Sequence, residues 1–232
     1  MMLVGVSILH AQDQIDEPIL ETNFSIFPLE KANWEGIYYA PEGDPNSEAI
    51  KLVFNRHERS ETYEYKGPPT LQFYRKSKNA EGLTIYQPVA EIRMRAITYK
   101  SEVILFFNPQ TENGPYEVQY MLDSERYFPD ESIVFYNTME LTFIGLVGDQ
   151  KLEIPPGASS PVKVTKFFDE PAPIVVAVKS GDDLHLVIKN KISFAAERRT
   201  LFILRKPASS TSLRLRTQRI TEFTGERAGA DK

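Results

Sequence analysis

Apolar and polar positions alternate with a period of two along most of this chain, and the helical period of 3.6 is nearly absent. Residues 91–97 put Ile92, Met94 and Ala96 on one face and Arg93 and Arg95 on the other. Residues 116–121 alternate similarly, and residues 184–188 and 213–216 do so less completely. Unbroken β-branched or aromatic runs lie between these stretches, at 50–54, 71–74, 103–107, 133–136, 141–147, 174–178 and 200–204. Turn chemistry separates the runs. Asn113-Gly114, Gly148-Asp149 and Gly181-Asp182-Asp183 supply the positive φ of tight hairpins. Most prolines fall in connections, where a missing amide donor is harmless. The pattern predicts many short strands stacked as sandwiches.

A repeat organises these elements. Residues 91–109 form a strand, a polar turn, an apolar strand and a proline, and residues 189–207 repeat that order. Each block is followed by an alternating strand. Ile37-Tyr-Tyr-Ala40 is paired with Ile133-Val-Phe-Tyr136, at an offset of 96 against 98 for the longer match. The fold expected is all-β: two tandem immunoglobulin-like β-sandwich domains related by an internal repeat. They are placed at residues 20–124 and 125–222, with the boundary near Pro129 and a disordered tail at 223–232.

Composition narrows the chemistry. The chain has 232 residues, 41% of them hydrophobic, enough for two cores without a covalent staple. It contains no cysteine, which removes thiolate metal sites, thiol nucleophiles and disulfides. The formal charge of −5 is unevenly spread: Lys189 to Arg219 holds nine basic residues against one acid, leaving −13 to the remainder. The run from Met1 to Leu9, followed by His10-Ala11 and a polar stretch, reads as the end of an export signal at residues 1–11, lacking its basic beginning. A periplasmic or secreted location is expected on that reading, and a cytoplasmic one if the run is not a signal. No transmembrane segment is expected, because no run reaches the roughly 18–20 apolar residues a spanning helix needs.

The stretch from Arg126 to Ser159 carries Phe128-Pro129, a strand ending in Asn137, a strand-turn-strand and Pro156-Gly157-Ala158-Ser159. It resembles a group of small, uncharacterised, exported bacterial β-sandwich proteins. The resemblance implies fold and export. It brings no catalytic residues, since no activity is known for the group.

Candidate chemistry is sparse. His10, His57 and His185 share no ligand spacing, and no metal or cofactor is implied. The acid clusters Glu42-Gly-Asp44, Asp130-Glu131 and Asp182-Asp183 read first as turn formers; Asp44, Asn46 and Glu48 imitate a Ca²⁺ loop interrupted by Pro45. Aromatics gather in the first half, and Trp34, Tyr38, Tyr39, Tyr63 and Tyr65 form the candidate binding surface. Arg93, Arg95, Arg214 and Arg216 form a candidate basic face, read as edge protection or as partners for the acidic remainder rather than as a nucleic-acid site. The function expected is a non-catalytic extracytoplasmic binding or assembly protein, with an envelope protein or polysaccharide as partner. A carbohydrate-binding module using the first-half aromatics and a carboxylate-dependent hydrolase are the alternatives.

Overall fold

The computed structural model describes residues 18–46, 48–55, 58–95, 100–180, 183–207 and 214–225. The segment read as an export signal, His10, His57, Asp182 and residues 226–232 lie outside them. The described chain is built of strands with one short 3₁₀ turn, and no helix in it is long and apolar enough to cross a membrane.

The first half supplies eight strands: β1 (Leu20–Pro28), β2 (Ile37–Tyr39), β3 (Ile50–Lys51), β4 (Tyr63–Gly67), β5 (Thr70–Lys78), β6 (Thr84–Arg93), β7 (Ser101–Pro109) and β8 (Tyr116–Leu122). The second supplies nine: β9 (Ser132–Asn137), β10 (Phe143–Val147), β11 (Gln150–Ile154), β12 (Gly157–Ala158), β13 (Val162–Lys163), β14 (Ala172–Ser180), β15 (Asp183–Ile192), β16 (Arg198–Arg205) and β17 (Arg216–Phe223). They form four sheets, ordered β4-β1-β7-β8 and β3-β2-β5-β6 in the first half, and β12-β9-β16-β17 and β11-β10-β14-β15 in the second, with β13 also on β9. Strand for strand the two orders coincide.

The match extends to single hydrogen bonds. Ser60 accepts from the Ile26 amide (2.8 Å) and its own amide donates to the Ile26 carbonyl (3.0 Å). Ser159 makes the same exchange with Phe135, at 3.1 and 2.8 Å. β6 and β15 each carry one bulged valine, Val89 and Val187, between consecutive pairs of the ladder. Ile37, however, lies in β2, whereas Ile133 lies in β9, whose counterpart by strand order is β1. An apolar run states that a strand is buried, not which sheet receives it.

The order also departs from the ABED and CFG sheets of an immunoglobulin domain. β1 lies inside its sheet, parallel to β7, and β9 lies likewise beside β16. These central strands are buried on both faces, as interior parallel pairs usually are. Val103, Leu105 and Phe107 face the first core, with Phe24, Ile26 and Phe73; Ile133, Phe135, Phe202 and Leu204 face the second, with Ile174 and Val176. Ile104 and Phe106 point the other way and meet Val134, Tyr136, Leu201 and Ile203 in a third core. The Phe106 and Tyr136 rings stack there at 4.0 Å. The molecule is thus four sheets deep, with the two parallel-containing sheets in the middle. Each fully buried side chain of this kind contributes about 1.5–3 kcal/mol.

The stretch between β8 and β9, expected as a polar connection, contributes to that core through Phe128, which is fully buried. The expected tail is ordered further than its polarity suggests. Phe223 still pairs with Arg198, and buried Thr224 donates its amide to the Glu197 carbonyl at 2.8 Å. The Gly148 turn between β10 and β11 requires glycine: its φ is +62°, and a Cβ would stand 2.0 Å from the Phe167 ring.

Candidate functional site

The aromatic group expected on the surface is mostly core. Tyr39, Tyr63 and Tyr65 are buried around Phe24, with Tyr39 and Tyr63 in ring contact with it at 5.0 and 5.4 Å. Burial lifts the Tyr39 and Tyr65 hydroxyls to about 12. Each is satisfied internally: Tyr39 donates to the Glu64 carbonyl, Tyr65 to that of Pro68, and the Tyr63 hydroxyl accepts from the Val53 amide. Trp34 closes the end of this core, stacked on Phe54 at 5.0 Å and tilted against Tyr116 at 4.9 Å. Tyr39, Tyr63 and Tyr65 are therefore buried in the core, and Trp34 is half-buried at its end. β2 alternates, so Tyr38, between buried Ile37 and Tyr39, alone takes the outer face.

That face carries more aromatic surface than the sequence reading assigned to it. Tyr38 pairs across the sheet with Tyr74, and Tyr86 contacts both rings at 6.0 and 6.4 Å. Above Tyr38, where β2 has not yet begun and β5 pairs with β6 alone, lies a groove of about 470 Å³ between the Asn33–Gly36 loop and Arg75–Lys78.

The basic residues divide by position. Arg216 binds Glu30 of the first half at 2.6 Å, and Arg205 binds the same carboxylate at 3.4 Å while donating to the Leu29 carbonyl. Arg93 is exposed at the end of β6, Arg95 is exposed just beyond it, and Arg214 precedes β17. Arg216 thus joins the halves instead of forming a free basic surface, because Glu30 lies against it at the end of the third core.

The opposite end of that core holds a four-membered ion network, buried at Asp123 and Arg199 and half-buried at Arg59 and Glu222. Asp123 and Glu222 are each gripped by Arg59 and Arg199: Arg59 lies 2.6 Å from Asp123 and 3.2 Å from Glu222, Arg199 2.7 Å from each. Arg199 also donates to the Phe128 carbonyl at 3.0 Å and lies 4.2 Å above the Phe128 ring. Burial works against its charge, but Asp123 and Glu222 outweigh that and hold the guanidinium above its ordinary range. Both carboxylates are committed to guanidinium groups. No described group of three or more His, Asp or Glu could hold a metal ion. Asp44 accepts from the Asn46 amide at 2.9 Å, an Asx turn, and His185 is exposed on β15.

A different surface stands out on the outer sheet of the second half. On β10 and β14 the residues pointing away from the core are Ile144, Leu146, Val175 and Ala177, and β15 adds Leu184 and Leu186, which are 60% and 56% exposed. Lys151, Lys179, Lys189 and Lys191 surround them on the same face, with Glu153 between. The runs 141–147 and 174–178 contain the signal: their outward positions are apolar too.

No protein-family model matches this chain, and no curated protein matches its sequence.

Proposed function

We propose that this is a non-catalytic extracytoplasmic binding or assembly protein, formed by two fused copies of one sandwich unit (residues 20–124 and 125–222), which engages a partner protein through the outer sheet of the second unit. The observation that carries the reading is the outward apolar group Ile144, Leu146, Val175, Ala177, Leu184 and Leu186. Solvent-facing sheet positions are ordinarily polar, and a contiguous apolar patch with a charged rim marks an interaction surface. The rim is mainly lysine, with Glu153 beside Lys151, which suits a partner protein that presents apolar groups edged by acids. Four lysines gathered on one face also disfavour a second copy laid face to face on it. The extracytoplasmic setting is supported by the apolar run before Ala11 and by the resemblance carried by residues 126–159.

Photo-crosslinking tests the proposal in cells that produce the protein. A crosslinking residue at position 186 is expected to give one discrete adduct, lost when Leu184→Asp is added, while position 170 gives none. No adduct at position 186, or the same pattern at both positions, overturns it.

A further inference from the structure

We infer that the partner of the second half adds an extended acidic strand to the free edge of β15, an inference that rests on the partner surface proposed above. Two differences between the halves carry it. The first lies in the ladder. The Pro173 carbonyl accepts from the Gly148 amide at 2.8 Å, so Pro173 turns toward β10, and Val175, Ala177 and Lys179 turn the same way by alternation. Their partners on β15, Lys189, Leu186 and Leu184, therefore direct their amides and carbonyls at the open edge. The Lys191 amide is already taken by the Asn190 side chain at 2.8 Å, which ends the open run. In the first half β6 holds the corresponding place, and the residue before its bulge, matching Leu186, is Pro88. A proline has no amide to offer, which closes that edge to a further strand. The same position in the second half keeps its donor.

The second difference lies beneath that edge. β6 packs against β8, and Val118, Tyr120 and Leu122 of β8 belong to the first core. β15 does not pack on β17 in that way among the described residues. Opposite Leu204, Phe202 and Thr200, β17 carries Thr217, Arg219 and Thr221, which point to the side of the second core and yet are exposed. A strand added to β15 covers them. One of its faces then meets Arg219 and the two threonines, and the other continues the outer sheet beside Leu184, Leu186, Lys189 and Lys191. Both faces have basic neighbours, so the added strand carries acids. The excess of base between Lys189 and Arg219 thereby acquires a role. Lysines on an edge ordinarily discourage pairing with a like edge; here they repel a second β15 and admit a strand of opposite charge.

Photo-crosslinking from position 219 separates this inference from the reading it rests on. A strand on the edge gives the same adduct from position 219 as from position 186. An adduct from 186 with none from 219 leaves the partner surface standing and overturns the strand. An adduct of twice the chain's mass assigns the edge to a second copy, and a crosslink within one chain assigns it to the protein's own terminal residues; either overturns the inference. Isothermal titration of the full chain supplies the chemistry. A peptide of about nine residues alternating valine and glutamate is expected to bind at about 100 µM. The same peptide with every second amide N-methylated, and a valine–lysine peptide, are expected to bind at least about tenfold more weakly. Leu186→Pro, which copies Pro88, is expected to weaken the glutamate peptide to the same extent, as is Lys189→Glu/Lys191→Glu, confined to exposed side chains, with the fold intact by circular dichroism. Absence of binding at about 2 mM glutamate peptide, equal binding of the methylated peptide, or unchanged affinity in the lysine double variant overturns the inference.

Discussion

Arg199 and Asp123 meet at 2.7 Å at one end of the seam between the halves, with both side chains almost wholly removed from solvent. Asp123 follows β8 and Arg199 opens β16, so this contact and its neighbours, Arg59 and Glu222, tie the last strand of each half to the other. At the far end Glu30, just beyond β1, receives Arg205 and Arg216. The two long central strands, β7 and β16, must therefore run in the same direction across the third core.

Breaking the buried network at one partner leaves a charge without compensation. Asp123→Ala is expected to destabilise the protein by about 3–5 kcal/mol, because Arg199 stays buried. The apolar pair Asp123→Leu/Arg199→Met is expected to cost much less than the sum of its single changes. Urea denaturation of the four proteins gives the coupling directly. Additive single effects would show that the two residues act independently.

The equivalent serines predict equivalent losses. Ser60→Ala and Ser159→Ala each remove the acceptor of a buried amide, Ile26 in one half and Phe135 in the other. Each is expected to cost about 1–3 kcal/mol. Thermal unfolding midpoints of the two variants would fall by similar amounts. A loss at only one serine would mean that the two hydrogen bonds are alike in geometry but not in burial or strain.

Much of the fold was legible in the sequence, because period-two alternation and glycine turns locate strands without tertiary information. The runs at 103–107, 133–136 and 201–204 hold further information in their failure to alternate, which marks strands covered on both faces. What covers them is not written locally: Ile104 and Val134 belong to different sheets and meet only through packing in the third core. The candidate site was less legible for a related reason. In Tyr38-Tyr39 the period of two guarantees one ring inside and one outside, but neither residue states which. The ion network stayed hidden because Arg59, Asp123, Arg199 and Glu222 are far apart in sequence and only the fold brings them together.

The exposed leucines should contribute little to stability, which separates a binding role from a structural one. Leu184→Ser and Leu186→Ser are expected to change unfolding free energy by less than about 0.5 kcal/mol. Ile133→Ala, at a fully buried position, is expected to cost about 2–5 kcal/mol. The same leucine changes should reduce binding of a hydrophobic dye to the native protein. A large stability loss at either leucine would mean that the face is covered by the protein itself.

Alkaline pH should unfold the first half through its buried tyrosines. Tyr39 and Tyr65 ionise at about 12 in the folded protein, raised chiefly by burial from an ordinary value of 10.0. The unfolded chain therefore releases these protons first. Stability is complete below pH 10 and declines as pH rises from 10 through 12, since each unfolded tyrosine gains charge that the core excludes. Absorbance at 295 nm should accordingly rise in two steps. The second step coincides with loss of β-sheet circular dichroism. Tyr65→Phe removes one of the late protons and also the bond to the Pro68 carbonyl. It is expected to lower stability at neutral pH while making the decline above pH 10 shallower. An unchanged decline would assign the alkaline transition to other groups.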